Sequence, residues 1–223
     1  MKFNATYYHM DTPAGRLTIS NGNAKLVPNN NVKYIIFSLP AIKTCPFATA
    51  LCRANCYALK SERAYPSARA SRSNNWDVSK TDVFTPSMIQ LIHNTIARKS
   101  YATAKKIEVR IHESGDFYSA DYFNKWLAIA DAFRSDSRLV FVAYTKSLPF
   151  VHDVPANMVI RSSIWDDTSA DMLELTDALG LPIYTAVPTF TNEPAREQCA
   201  CVNCSTCFKC FSNKFELLKC EIH

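Results

Sequence analysis

Short apolar runs alternate along this chain with longer stretches in which apolar residues recur every three or four positions. Residues 32–39, Val-Lys-Tyr-Ile-Ile-Phe-Ser-Leu, form the first strong β pattern, which Pro40 closes. Residues 106–112 alternate apolar and polar side chains and predict another strand. Residues 139–144 are continuously apolar, as in a strand covered on both faces. Residues 158–160 and 182–187 predict two more strands. Helical periods lie between them. A weak one covers 64–75. A second has Thr85 as cap and Pro86 at its first position, with Met88, Leu91, Ile92 and Ile96 on one side. A third is capped by Ser119 and lines up Phe123, Trp126, Leu127, Ala130 and Phe133. A fourth follows Thr168 or Ser169, carries Met172, Leu175, Thr176 and Leu179, and stops at Gly180. Residues 1–32 are polar and rich in turns, with one short strand pattern at 16–20. They predict a hairpin or arm outside the core.

Strands that alternate with helices imply right-handed crossovers and a mostly parallel sheet. The units are too few for a closed eight-fold barrel. The fold class expected is α/β: a partial, open TIM-like barrel of about five or six mostly parallel strands, followed by a cysteine-rich tail. Residues 1–188 would form the barrel and 189–223 the tail, as one compact unit, which suits a chain of 223 residues.

The cysteines change this picture. Cys45, Cys52 and Cys56 follow the first strong strand with the spacing C-x6-C-x3-C. Three thiols in twelve residues either bridge each other or bind metal, and the odd number argues against a self-contained disulfide loop. The other six, Cys199, Cys201, Cys204, Cys207, Cys210 and Cys220, fall in the last 25 residues. The run C-x2-C-x2-C at Cys201, Cys204 and Cys207 has the short spacing that wraps a cubane iron–sulfur cluster. Cys199, Cys210 or Cys220 would be the fourth ligand, with Cys210 first. Zinc held by four thiolates is the rival, but the abutting pairs suit one compact cluster better. Two [4Fe-4S] clusters are expected, and the loop cluster would keep one iron without a protein thiolate.

In parallel α/β sheets, ligands sit beyond the C-terminal strand ends. Those ends here carry the thiol loop, then His112, Glu113, Ser114 and Asp116, then Tyr144, Thr145 and Lys146, then Arg161 with Ser162 and Ser163. His112, Glu113, Asp116, Lys146 and Arg161 are therefore the candidates for chemistry at the loop cluster. Each also has a structural reading: His112 as a half-buried, satisfied histidine, Glu113 and Asp116 as helix caps, Arg161 as the partner of Asp166 or Asp167.

Composition excludes several classes. Only Gly15, Gly22, Gly115 and Gly180 are present, so no glycine-rich phosphate loop exists. The net charge of +5 is mild and no long Lys/Arg block occurs, so nucleic acid is not the expected partner. No apolar run suits a signal peptide or a membrane span, and a cytoplasmic protein is expected, where clustered cysteines favour metal over disulfides.

Three features together, Thr44-Cys45-Pro46 with Cys52 and Cys56-Tyr57-Ala58, Arg110-Ile111-His112-Glu113-Ser114-Gly115-Asp116-Phe117, and the cysteine-rich end, resemble the phage gene-product-88 domain family. The likeness runs from about residue 33 onward. It implies a phage-borne iron–sulfur protein working in the host cytoplasm. A looser similarity links the chain to radical S-adenosylmethionine enzymes, which place a three-cysteine loop after the first strand of a partial barrel. That similarity implies S-adenosylmethionine as a ligand of the loop cluster. Glu113, Ser114 and Asp116 would hold it, with Tyr57 beside its adenine. The usual spacing there is C-x3-C-x2-C, against C-x6-C-x3-C here.

Three readings remain open from sequence. One is an enzyme with a small-molecule ligand at the loop cluster. Another is a ferredoxin-like carrier that meets only an electron donor or acceptor protein. The last is a zinc-stabilised binding module.

Overall fold

The computed structural model describes residues 3–187, Cys204, Cys207, 209–211 and 216–221. Its centre is one eight-stranded sheet: β1 (Tyr7–Thr12), β2 (Gly15–Ser20), β3 (Val32–Phe37), β4 (Lys106–Ile111), β5 (Leu139–Thr145), β6 (Met158–Ile164), β7 (Ile183–Val187) and β8 (Leu217–Glu221). The strands lie in the sheet in the order in which they occur along the chain. β1 to β3 pair antiparallel, and β3 to β8 are mutually parallel. The protein is therefore mixed α/β, with six parallel strands and an N-terminal hairpin.

Helices α1 (Ala50–Ala54), α2 (Tyr57–Ala64), α3 (Pro66–Ser79) and α4 (Phe84–Ile96) link β3 to β4. Helix α5 (Ala120–Ala132) links β4 to β5, and α6 (Ala170–Ala178) links β6 to β7. Side chains alternate across a strand, so each strand serves two faces. One face presents Ile35, Phe37, Val109, Ile111, Phe141 and Ile160 to Phe84, Met88, Phe123 and Trp126 of the helices. Sequential strand order with right-handed crossovers puts successive helices on the same side. The other face carries Val32, Tyr34, Ile36, Val142 and Val159, and Cys204 of the tail packs on it.

The N-terminal hairpin belongs to the core, contrary to the expectation of a peripheral arm. Leu17 and Ile19 are fully buried among the helices. β2 meets β3 at only one register pair, Ser20 with Ile36. Asn75 of α3 fills the opening: its Oδ1 accepts the Thr18 amide at 2.8 Å, and its Nδ2 donates to the carbonyls of Thr18 and Ser38. A side-chain amide thus replaces a strand partner.

Helix boundaries shift in two places. The weak helical period at 64–75 is α3, which starts at Pro66 and runs on to Ser79, and a further helix, α2, precedes it and ends at Ala64. α4 begins at Phe84, so Thr85 lies inside it and is not the cap. Ser119 does cap α5, its Oγ accepting the Tyr122 amide at 3.2 Å. Among the described residues, no helix is long and apolar enough to cross a membrane.

Candidate functional site

The loop after β3 is shaped by its contacts with the turn after β4. The Leu39 amide donates to the Ser114 carbonyl, and the amides of His112 and Glu113 both donate to the Phe37 carbonyl. Gly115 adopts φ +85°, and a Cβ there would stand 2.5 Å from Thr44 Oγ1 and 2.6 Å from Leu39 Cβ. Only glycine lets the two loops close to this distance. Thr44 is fully buried, bonding through Oγ1 to the Pro40 carbonyl and through its own carbonyl to the Asp116 amide. Ile42, three residues before Cys45, is held at φ 66°, a left-handed conformation unusual for a β-branched residue. Its carbonyl accepts the Cys45 amide at 3.1 Å.

The three loop thiols arrive by different routes. Cys45 lies in the loop, Cys52 in α1, and Cys56 at the N-cap position of α2. Thr49 caps α1 by accepting the Cys52 amide. Arg53 donates to the carbonyls of Ala48 and Cys45. From the far side, Asp167 accepts the Leu51 amide at 2.7 Å. This is the role the structure gives Asp167, in place of an ion pair with Arg161. Beneath the loop, Glu62 accepts from the Ala41 amide and from Arg72.

A cavity of about 550 Å³ opens beside these thiols. Cys45, Cys52 and Cys56 line one part of it, and Cys204, Cys207 and Cys210 line another. All six are free thiols, partly buried. Two groups of cysteine some 150 positions apart in sequence share one space. The tail is fixed there by the Cys204 amide on the Lys25 carbonyl at 3.0 Å and by Arg161 Nη2 on the Lys209 carbonyl at 3.1 Å. Burial pushes both Cys45 and Cys204 up to about 12, so in the bare protein they are neutral thiols. Among the described residues, no group of three or more His, Cys, Asp and Glu is spaced to hold a single metal ion. Cys199, Cys201 and the Cys220 side chain lie outside the described residues.

Of the residues singled out from sequence, Tyr57, His112, Glu113, Ser114, Asp116 and Lys146 all line this cavity. Arg161 does not. It sits inside β6, not at its end, with its side chain buried against the tail. His112 Nε2 pairs with the Tyr122 hydroxyl at 2.8 Å, and burial pulls its pKa down to about 3, so the ring is neutral. Both oxygens of Asp116 are engaged. Oδ1 accepts from Thr145 Oγ1 at 2.6 Å and from the Phe117 amide, and Oδ2 accepts the Lys146 amide at 2.9 Å. Burial still lifts its pKa to about 6. Asp116 thus ties the end of β5 to the end of β4. Lys146 donates to the Ser163 carbonyl and lies 5.8 Å from the Trp165 ring, and burial brings it down to about 8. Glu113 accepts from Asn23 Nδ2 at 2.6 Å, while its carbonyl takes the Tyr57 hydroxyl. Tyr57 is 55% exposed as a residue although its hydroxyl donates to the Glu113 carbonyl.

A family model described as gene product 88 matches residues 17–221. The chain belongs to the gene product 88 family. It is 27% identical over 197 residues to the Gene 88 protein of Mycobacterium phage D29, covering 85% of this chain and 75% of that one. To the Gene 88 protein of Mycobacterium phage L5 it is 29% identical over 196 residues, with the same coverage. No solved structure matches.

In this member of the gene product 88 family, Tyr144 of the third strand end also lines the cavity, as do Glu108, Arg110, Trp165 and Tyr184, which sequence reading did not single out for the site. Arg110 lies 3.4 Å from Glu108 and stacks 3.8 Å over Tyr144. Glu108 is pushed up by burial against the opposing pull of Arg110. A signal existed: the period of two that puts Ile107, Val109 and Ile111 in the core puts Glu108 and Arg110 on the opposite face, which Tyr34 and Tyr144 share.

Proposed function

We propose that this protein is an iron–sulfur redox protein with two [4Fe-4S]-type clusters on one cavity, the loop cluster being open to a small molecule. Cys45, Cys52 and Cys56 hold the first. Cys201, Cys204, Cys207 and Cys210 hold the second. The observation that carries this reading is the meeting of six free thiols, three from each end of the chain, on a cavity of ligand size. The donor set fits. A zinc ion would draw four sulfurs into one tight tetrahedron, whereas the thiolates of a cubane bind different irons and stand further apart. The sequential order of six parallel strands supports a partial barrel whose inner face looks onto this site.

Such clusters, when bound, supply single electrons, and an iron without a thiolate accepts a ligand. The rest falls to the protein. Glu113, steadied by Asn23, offers a carboxylate to an ammonium group. Tyr57 offers a ring face next to Cys56. Asp116 sets the Lys146 backbone, and Lys146 adds positive charge near Cys52. His112 stays neutral and fixes Tyr122. An ammonium, a carboxylate and an aromatic base are what S-adenosylmethionine carries, and we place it first among ligands.

Anaerobic purification with iron, sulfide and zinc counts tests the reading. Iron and sulfide are expected, with an electron paramagnetic resonance spectrum of the reduced protein that S-adenosylmethionine perturbs. An iron-loaded protein blind to it would be an electron carrier. A colourless protein with stoichiometric zinc would end the proposal.

A further inference from the structure

The face of the sheet turned to the cavity carries a charged pair among apolar neighbours. In the parallel register Glu108 stands between Tyr34 and Val140, and Arg110 between Ile36 and Val142. Tyr34, Ile36 and Val142 are buried and pack together on that face. Glu108 is 1% exposed. The desolvation of a buried ion pair is offset only by close and multiple hydrogen bonds. This pair lacks them. Arg110 Nη1 reaches Glu108 Oε1 at 3.4 Å, and Arg110 Nε is buried with no hydrogen-bond partner among the described residues. More exposed arginines of the same chain grip their carboxylates through two nitrogens. Arg16 holds Asp11 through Nε and Nη2 at 2.7 and 3.2 Å, and Arg138 holds Asp136 in the same way at 2.9 and 2.6 Å.

The Nε edge of Arg110 is thus unused, yet the group is braced. The guanidinium lies 3.8 Å over the Tyr144 ring, and Tyr184 meets that ring edge-on at 4.4 Å. Arg110, Tyr144 and Tyr184 all line the cavity. Strands rise about 3.3 Å per residue, which sets Arg110 roughly 7 Å along β4 from His112, away from the strand end where Tyr57 meets Glu113. A planar fork with one edge unused, stacked on an aromatic ring at a cavity wall, suits an oxyanion that accepts two parallel hydrogen bonds. Lys146 suits it less, because its Nζ is already engaged by the Ser163 carbonyl.

We propose that Arg110 seats the carboxylate or phosphate group of an acidic small-molecule substrate, a second occupant of the cavity beside the ligand at Glu113 and Tyr57. The inference rests on the small-molecule reading above and gives that cavity's substrate its chemical class. Glu108 orients Arg110 while the seat is empty and competes with the incoming anion.

The test is calorimetric titration of the whole protein, purified anaerobically, at mildly alkaline pH. The probes are benzoate, phenyl phosphate and, as the uncharged control, benzamide. We expect saturable binding of an anion and none of benzamide, the tighter anion naming the group the substrate carries. Glu108→Gln should bind at least threefold tighter, because the competing carboxylate is gone. Arg110→Gln should bind at least tenfold more weakly. Glu108→Gln combined with Arg110→Gln leaves no lone ion buried, so it should keep a cooperative melt and still lose the anion. Iron and sulfide counts on the same preparations keep the two readings apart. An iron-free protein that binds benzoate through Arg110 sinks the cluster reading and leaves the seat standing. An iron-loaded wild type that ignores both anions overturns the seat and leaves Arg110 as a counter-charge to the tail thiols. Binding abolished by Lys146→Gln but not by Arg110→Gln overturns it as well. So does a loss of S-adenosylmethionine affinity in Arg110→Gln as large as the loss of benzoate, since that ligand's own carboxylate would then fill the seat.

Discussion

Glu62 and Arg72 form a buried ion pair at 3.1 Å beneath the thiol loop, and the same Glu62 oxygen accepts the Ala41 amide at 2.8 Å. Arg72 also donates to the Ala58 carbonyl. The pair therefore binds the entry to the loop onto α2 and α3 together. Glu62→Ala leaves a buried guanidinium without its counter-charge and should cost about 3–5 kcal/mol of unfolding free energy. Glu62→Leu combined with Arg72→Met should recover most of it. Denaturant midpoints of the wild type and these two variants check both.

Gly115 is the second fixed point. Its φ of +85° and the 2.5 Å approach to Thr44 Oγ1 leave no room for a methyl group. Gly115→Ala should lose on the order of 1–3 kcal/mol from backbone strain, before the displacement of Thr44 is counted. The Gly180→Ala variant is the comparison: its φ of +58° carries strain, but nothing lies within 4 Å of its Cβ. Thermal unfolding should rank Gly115→Ala as the worse of the two.

His112 gives a pH dependence of known sign. Its folded pKa, about 3, is depressed below the ordinary 6.5 by burial and then by the Arg110 charge. Its contribution to stability is complete above pH 6.5 and is lost as pH falls towards 3. The slope from this one group approaches about 1.4 kcal/mol per pH unit. His112→Asn tolerates the left-handed backbone at this position, φ 66°, and should flatten the curve below pH 6. Chemical denaturation at several pH values reads the difference.

The two sets of thiols should be separable. Cys52→Ser should remove one cluster's share of iron and sulfide and leave the other spectral component standing. Cys207→Ser should do the reverse. A chelator that strips both should lower the melting temperature, because ligand binding to the folded state is folding free energy. Loss of all metal from either single variant would show that the sites are not independent.

Much of this was written in the hydrophobic pattern. The alternation of residues 106–112 and the apolar run at 139–144 match β4 and β5 because both strands are buried and short-range patterning decides them. The gathering of Tyr57, His112, Glu113, Ser114, Asp116 and Lys146 follows from one rule about parallel strand ends. What escaped depended on contacts distant in sequence. Leu17 and Ile19 are flanked by Arg16, Thr18 and Ser20, and only the packing of α3 over β2 buries them. Arg161 looked like a strand end because Ser162 and Ser163 follow it. β6 runs on to Ile164 because Ser162, Ser163 and Ile164 pair with β7. β8 carries Lys219 and Cys220 in a five-residue segment, and its pairing with β7 could not be read locally.

The shared cavity also imposes a schedule. A ribosome exposes Cys45, Cys52 and Cys56 long before Cys204, Cys207 and Cys210, and the space they border does not exist until both have emerged. The cavity thus has a built-in order of formation, and a stalled chain would expose the first three thiols with no opposite wall to shield them.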